Sequence, residues 1–204
     1  MGCGETMMSK AEETRRFIIE KVAPIFNMHG YEGTSLSQLT EAIGLTKGAL
    51  YGNFKNKDEI ALAALEYNIS KIKGEISGRI GPIDNSCDKL IALAEFYRDT
   101  FDRISQRGGC PILNAAIDTD NTELPLRDFV IRSIDDWMRM IILVFRRGIR
   151  RGEIKEGIDA ETFATLFVTF IEGGIMLSKV TGKRIHLDRN IDYLINKINA
   201  ELRI

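Results

Sequence analysis

Residues 33–57, with the sequence GTSLSQLTEAIGLTKGALYGNFKNK, have the side-chain types and spacing that contact with a nucleic acid requires. Lys47 and Tyr51 fall four residues apart on one face of a predicted helix, and Gly48 and Gly52 lie beside them. Lysine supplies positive charge for a phosphate, tyrosine supplies a hydroxyl donor, and glycine lets the backbone come close to a base edge. Because an exposed face of this kind stabilises a helix poorly, the pattern favours a DNA-binding role over a structural one.

Two short helices joined by a tight turn are predicted to position this face. The first covers residues 36–43, where apolar residues recur at helical spacing, and Gly44 ends it in a left-handed conformation. The second covers residues 47–54, and its Leu50 and Phe54 are expected to be buried on the opposite side. The expected caps are Thr34 or Ser35 for the first helix and Thr46 for the second. This arrangement is the helix-turn-helix, whose second helix enters the major groove of DNA.

Residues from about 14 to 66 resemble the DNA-binding domain of the tetracycline-repressor (TetR) family of one-component transcriptional regulators. The residues that carry the resemblance are Ile18, Ala23, Phe26, His29, Gly30, Tyr31, Gly33, Thr34, Ser35, Leu39, Ala42, Gly44, Leu45, Lys47, Gly48, Leu50, Tyr51, Phe54, Lys57, Glu59 and Ile60. The family usually has an aromatic residue or a histidine in the two positions after Tyr51, where this chain has Gly52 and Asn53. The docking mode is therefore retained while the base preference stays open, because asparagine can bridge an adenine edge and glycine reads none.

The helical pattern and the resemblance together predict ten residues that contact DNA. These residues are Thr34, Ser35, Thr46, Lys47, Gly48, Ala49, Tyr51, Gly52, Asn53 and Lys57. The resemblance implies a homodimer that places its two second helices in successive major grooves of a double-stranded, pseudo-palindromic operator. It further implies a small-molecule inducer that releases the DNA, which makes the protein a repressor, with activation as the alternative.

Composition limits the classes of protein that fit this sequence. The 204 residues have a formal net charge of −1, and the first 66 have a net charge of −2, which counts against a nonspecific DNA-coating protein. Cys3, Cys87 and Cys110 form no metal-binding or disulfide pattern and are expected to be reduced thiols. No apolar run approaches membrane-spanning length and no secretion signal is found, so a cytoplasmic protein with no membrane partner is expected. Neither a catalytic residue, a metal site nor a cofactor is expected.

The chain is predicted to be all-α with about nine helices. Residues 1–9 are predicted to be a disordered leader, residues 10–66 the helix-turn-helix domain, and residues 67–204 a ligand-binding and dimerisation domain. The first helix ends at about His29, with Pro24 as a tolerated bend, and the fourth covers residues 58–80. The remaining helices are predicted over residues 86–105, over residues 111–117, from Thr122 or Glu123 to Arg151, from Asp159 to Val180, and from His186 to Leu202. The last two are expected to pair with their two-fold mates as a four-helix bundle that forms the homodimer.

A set of aromatic, aliphatic and polar residues in the second domain predicts a pocket for the inducer. Its expected lining is Tyr97, Phe101, Cys110, Asn114, Asp118, Trp137, Met138, Phe167, Phe170 and Ile171. For any single member, ordinary core packing is the alternative. Few cations are expected inside, so the sequence predicts a largely apolar ligand that is neutral or cationic.

Three features of this domain are left open by the sequence. Glu172 lies in an apolar run and either faces the pocket or pairs with a cation across the dimer interface. Gly173 and Gly174 suit close approach of two helices at that interface, or packing within one chain. Cys110 is either a redox sensor near a helix N-terminus or a small buried residue.

Two other classes of function compete with a DNA-binding regulator. One is a small-molecule binding protein that has lost DNA recognition, which the missing aromatic residue after Tyr51 supports. The other is a hydrolase or transferase. The sequence contains no nucleophile elbow, zinc-protease motif or phosphate-binding loop, which counts against an enzyme of this kind. A gel-shift assay with the DNA that flanks the gene discriminates between these classes.

Overall fold

The computed structural model describes residues 9–119 and 125–204, and within these ranges the regular elements are helices, as the sequence predicts. The predicted leader, up to residue 8, and the predicted helix start at Thr122 or Glu123 lie outside the described residues. The helices are α1 (Lys10–Gly33), α2 (Leu36–Ile43), α3 (Lys47–Asn53), α4 (Lys57–Ile80), α5 (Ser86–Gln106), α6 (Pro111–Thr119), α7 (Pro125–Arg150), α8 (Ala160–Thr181) and α9 (Ile185–Lys197), with one π-helical turn at Ile198–Leu202.

Helix α1 continues through Pro24 and is interrupted at Gly30, one residue after its predicted end. Gly30 has φ 71° and ψ 177°, a conformation that is essentially restricted to glycine. A Cβ atom at this position would lie 2.4 Å from Oδ2 of Asp118 in α6. The break therefore needs glycine both for its backbone angles and for the approach of α6.

Two buried apolar clusters lie at the two ends of α4. The first joins α1 to α3 with the first half of α4, and it also contains Leu126 and Val130 from the start of α7. The second joins the end of α4 with α5, α7, α8 and α9. Helix α4 is unbroken between them, and the change from one cluster to the other falls between Ile69 and Ile76, a few residues beyond the predicted domain boundary. A 24-residue helix is about 36 Å long, so α4 connects both halves of the molecule as one rod.

Helix α8 corrects the prediction that no apolar run approaches membrane-spanning length. By length and composition alone, its 22 residues could cross a membrane. One face of this helix, however, is buried in the second cluster through Phe163, Phe167 and Ile171. The core helix of a globular protein passes the same test, and packing of this kind is what such a helix shows.

Candidate nucleic-acid interface and ligand cavity

The helix-turn-helix forms because its local signals agree with one another. In α2 the Ser35 hydroxyl accepts from the Gln38 N–H at 3.2 Å, and the Gln38 side chain accepts from the Ser35 N–H at 2.8 Å. Gly44 ends α2 in the left-handed region with φ 65°. Thr46 then caps α3 by accepting from the Ala49 N–H at 3.2 Å. The predicted bounds of α2 are confirmed, and α3 ends one residue earlier than predicted.

The predicted DNA-facing side of α3 is open to solvent. Lys47, Gly48, Tyr51 and Gly52 are exposed, whereas Leu50 on the opposite side is fully buried. The Lys47 ammonium lies 5.9 Å from the centroid of the Tyr51 ring. A Cβ atom added to Gly52 would meet no atom within 4 Å, so packing inside the chain does not require a glycine there. The glycines on this face therefore leave space for an external partner.

Arg15 in α1 fixes the end of α3, a role that the sequence analysis missed. Its Nη1 donates to the Asn53 carbonyl at 2.5 Å, and its Nη2 donates to the Glu59 carboxylate at 2.8 Å. The guanidinium also lies 4.1 Å from the centroid of the Phe54 ring. The backbone N–H of Lys55 and then Arg15 hold the pKa of Glu59 below its ordinary value. Arg15 therefore neutralises the negative end of the α3 dipole and anchors the helix to α1.

Three of the predicted DNA contacts have partners within the chain, and their contact with DNA stays a prediction. Thr34 is buried, and its hydroxyl donates to the Gly30 carbonyl at 2.6 Å. The Asn53 amide donates to the Ala49 carbonyl at 2.9 Å within its own helix. The Lys57 ammonium lies 4.3 Å from the centroid of the Tyr31 ring. Exposed Ser35 and Thr46 cap their helices, and Ala49 is half-buried.

Helix α6 is tied to α1 by hydrogen bonds along one side. The Asn114 amide donates to the Asn27 carbonyl at 3.0 Å and to the Gly108 carbonyl at 2.9 Å. The Asn27 amide in turn donates to the Gly109 carbonyl at 3.1 Å. The Asp118 carboxylate accepts from the N–H of Tyr31, next to the break in α1, at 2.9 Å. Asn114 and Asp118, which the sequence assigns to the ligand pocket, thus lie at a junction with the DNA-binding domain.

A cavity of about 270 Å³ lies among α4, α5, α7 and α8, with the start of α6 on its border. Its lining includes three of the predicted pocket residues, Tyr97, Cys110 and Trp137. Sequence reasoning missed the contribution of α4, which supplies Ile69, Ile72 and Ile76, although their helical spacing is a detectable signal.

The other predicted pocket residues do not line this cavity. Phe101, Phe167 and Ile171 are buried in the second apolar cluster, and Met138 packs against that cluster. Phe170 packs against Tyr193 of α9, with the ring centroids 4.9 Å apart and the ring planes tilted by 40°. The assignment of these residues to a ligand stays a prediction.

Apart from one ion pair, the polar side chains that line the cavity are uncharged, and all of them except Ser77 are buried. The indole N–H of Trp137 has no hydrogen-bond partner among the described residues. Burial raises the pKa of the Tyr97 hydroxyl and of the Cys110 thiol well above their ordinary values. Cys110 is therefore a thiol rather than a thiolate at neutral pH, which argues against a redox sensor. Lys73 and Asp136, 2.9 Å apart and half-exposed, form the ion pair.

Helices α8 and α9 leave an apolar surface uncovered. Its exposed members are Leu166, Met176, Leu177, Val180, Ile185 and Tyr193. Gly174 faces α9 of its own chain, where a Cβ atom would lie 2.9 Å from Cδ1 of Leu187. Gly173 faces outward, where a Cβ atom would meet no atom within 4 Å. The two glycines therefore have different roles, the first within the chain and the second at the open surface.

Comparison with known proteins agrees with this architecture. Residues 18–64 match the family described as bacterial regulatory proteins, tetR family, and residues 86–194 match the tetracyclin repressor-like, C-terminal domain. The Uncharacterized HTH-type transcriptional regulator YxaF of Bacillus subtilis (strain 168) is 30% identical over 84% of this chain and 87% of its own. A TetR-family regulator from Cytophaga hutchinsonii has a TM-score of 0.92 at 34% identity, covering 98% of this chain and 99% of its own. One from Chloroflexus aurantiacus J-10-FL has a TM-score of 0.88 at 34% identity, covering 97% and 100%. The chain belongs to the TetR family and is a homodimeric, ligand-responsive, DNA-binding transcriptional regulator.

Proposed function

We propose that this protein is a repressor whose ligand binds in the cavity among α4, α5, α7 and α8 and releases DNA through α6. The observation that carries this proposal is the position of α6. Its first residues, Pro111 and Ile112, border the cavity, and its later residues Asn114 and Asp118 hold α1. A ligand that displaces the start of α6 therefore moves the groups that orient the DNA-binding domain.

The loop that precedes α6 strengthens this connection. Gly108 accepts hydrogen bonds from Asn114 in α6 and from the Lys179 ammonium in α8. With φ 99°, Gly108 comes so close to α1 that a Cβ atom would lie 2.5 Å from the Asn27 carbonyl oxygen. One loop thus contacts the cavity, the DNA-binding domain and the outer helix α8, and a small shift there acts on all three.

In the DNA-bound dimer, the two α3 helices must lie about 34–36 Å apart to enter successive major grooves. We propose that Lys47 and Tyr51 contact the phosphate backbone from the exposed face of α3. A ligand that binds better to a conformation with another spacing shifts the population towards that conformation and lowers operator affinity.

The exposed apolar surface of α8 and α9 is the proposed dimer interface. In a two-fold dimer the same residues face each other, so a few apolar side chains on each chain cover a continuous patch. Gly173 at the centre of α8 allows close approach of the partner helix. The predicted pairing of the helices from Asp159 to Val180 and from His186 to Leu202 is retained in this proposal.

The lining of the cavity sets the class of ligand. Most lining groups are aliphatic or aromatic, so the ligand is largely apolar. The unpaired indole N–H of Trp137 favours a ligand that carries a hydrogen-bond acceptor. The raised pKa values of Tyr97 and Cys110 leave both groups poor nucleophiles at neutral pH, which supports a binding role without catalysis. A regulator of this kind acts on DNA in the cytoplasm.

The first experiment is a gel-shift assay with the DNA that flanks the gene. The same assay, repeated with candidate compounds, identifies those that release the DNA from the protein. Titration of Trp137 fluorescence then measures ligand occupancy independently of DNA release. Loss of sequence-specific binding in the wild-type protein would favour the alternative of a ligand-binding protein without DNA recognition.

The second experiment separates occupancy from release. Asn114→Ala removes the bond from α6 to the Asn27 carbonyl, and Asn68→Ala removes a matched 3.0 Å bond from α4 to the Ala23 carbonyl. We expect Asn114→Ala to bind ligand but to release less operator at equal occupancy, whereas Asn68→Ala releases it as the wild type does. Equal release by all three proteins contradicts the route through α6.

A further inference from the structure

Glu172 is a buried carboxylate that the fold leaves without a partner. Both of its carboxylate oxygens are buried and have no hydrogen-bond partner among the described residues. Its neighbours along α8 include Ile171 and Ile175, which are fully or almost fully buried. An unpaired carboxylate in such surroundings is costly, because it loses its hydration and gains no compensating bond.

The other buried or half-buried acids of the described chain are treated differently. Glu59 pairs with Arg15, and Glu75 pairs with Arg103. Glu153 accepts from the backbone N–H of Ser86 at 2.7 Å. Glu172 therefore differs from these acids in having no such partner.

Glu172 is not itself a lining residue of the ligand cavity, but its carboxylate lies next to two residues that are. The titratable groups that face it are Tyr97 of α5 and Cys110 of the loop before α6, and both line the cavity. Ile175, one turn further along α8, lines it as well. The Cys110 thiol faces the carboxylate and offsets part of the rise in its pKa that burial causes, but a thiol is a weak donor and it makes no hydrogen bond of ordinary geometry with Glu172.

A cation from the partner subunit does not explain this group. The oxygens are already buried within a single chain, so they point away from the exposed α8 surface that a partner would cover. Lys73, the cationic residue that lines the cavity, is paired with Asp136. An acidic group without a cationic partner therefore lies next to the cavity lining.

We propose that Glu172 is the anchor for a ligand that carries one ammonium group on a largely apolar body. The ammonium group passes Cys110 and donates to the carboxylate, while the apolar body occupies the space between α4 and α7. This inference rests on the proposed function, in that it takes the cavity as the ligand site. A charged donor is favoured over a neutral one because it both satisfies and ionises the buried acid.

The test uses four probes with the same skeleton: 4-phenylbutylamine, 4-phenylbutanol, 4-phenylbutanoate and butylbenzene. Their affinities for the wild-type dimer are measured by Trp137 fluorescence and by calorimetry. The amine is expected to bind at least about 10-fold more tightly than the alcohol, and the carboxylate more weakly than the alcohol. An amine that binds no more tightly than the alcohol overturns the anchor.

Glu172→Gln keeps the shape of the side chain and removes its charge. We expect it to abolish the advantage of the amine and to leave the affinity for the alcohol within about 2-fold. Glu161→Gln, an exposed change of the same charge on the same helix, is the matched control and keeps the wild-type order. An advantage of the amine that survives in Glu172→Gln contradicts the proposal. If this variant does not fold, the comparison of the four probes on the wild-type protein remains the test.

The failure of the anchor is distinguishable from the failure of the cavity. If butylbenzene and the alcohol bind and alter Trp137 emission while the amine has no advantage, the cavity is a ligand site and only the role of Glu172 is wrong. If none of the four probes binds, both proposals are wrong.

Discussion

Replacement of Gly30 by alanine tests whether α6 holds the DNA-binding domain through this position. Two costs are expected. The backbone at φ 71° and ψ 177° is nearly forbidden to alanine and costs about 1–3 kcal/mol. In addition, the new Cβ atom would lie 2.4 Å from Oδ2 of Asp118, so the carboxylate must leave and the Tyr31 N–H loses its acceptor. This hydrogen bond is exposed, so its loss adds only about 0.5–1.5 kcal/mol, which gives a total loss of about 1.5–4.5 kcal/mol.

Gly44→Ala is the matched control for backbone strain. Gly44 is also left-handed, with φ 65°, but a Cβ atom there would meet no atom within 4 Å. Its replacement should therefore cost about 1–2 kcal/mol, with no steric component. The free energies of unfolding are measured by urea denaturation of each protein at one fixed concentration, because a dimer's stability depends on concentration.

A double-mutant cycle isolates the contact with Asp118. In the Asp118→Ala background the clash and the lost hydrogen bond are already absent, so Gly30→Ala should cost only its backbone strain. The cost of Gly30→Ala is therefore expected to fall by about 0.5–1.5 kcal/mol in that background. An equal cost in both backgrounds, or a cost of Gly30→Ala no larger than that of Gly44→Ala, refutes the junction as described.

Three further outcomes are expected. Lys47→Ala should weaken binding to all DNA sequences about equally and lower the slope of log affinity against log salt concentration by about one unit per subunit. Lys71→Ala on α4 should change neither quantity. If folded Lys47→Ala has unchanged affinity and slope, Lys47 does not belong to the interface. Gly173→Trp should shift sedimentation towards the monomer with helicity preserved, whereas Gly174→Trp should destabilise the chain itself because Leu187 lies against that position; a dimeric Gly173→Trp protein contradicts the proposed interface. Burial raises the pKa of Glu172 from 4.5 to about 7, so its carboxyl favours the fold below pH 4.5 and loses that contribution as pH rises to 7. The stability of Glu172→Gln relative to the wild type should therefore rise by about 3 kcal/mol between pH 4.5 and 7.5, and a constant difference across that range would show that Glu172 is solvated.

The helix-turn-helix could be predicted closely because its determinants are local. The caps Ser35 and Thr46 and the left-handed Gly44 act on residues a few positions away. The ends of α2 were therefore predicted to the residue, and the exposed face of α3 followed from helical spacing. Thr34 shows the limit of this reasoning, because its burial depends on the break at Gly30 and on the packing of α1.

The cavity could be predicted only in part, because it lies between helices that are distant in the chain. Sequence reasoning chose aromatic residues, of which Tyr97 and Trp137 do line the space, while Phe101 and Phe167 fill the core. Helical periodicity shows which residues of one helix share a face, but not which neighbouring helix that face meets. The contribution of α4 was missed for this reason.

The amino-acid sequence by itself determined the helical class, the position of the DNA-reading helix and the family, since periodicity, caps and a dense motif suffice for these. The tertiary structure decided which surfaces meet. It placed Asn114 and Asp118 against α1 instead of in the pocket, turned Gly174 inward and Gly173 outward, and buried the oxygens of Glu172. The physical reason is that local conformation depends on energies between near neighbours in the chain, whereas these contacts depend on how several rigid helices fill one shared volume.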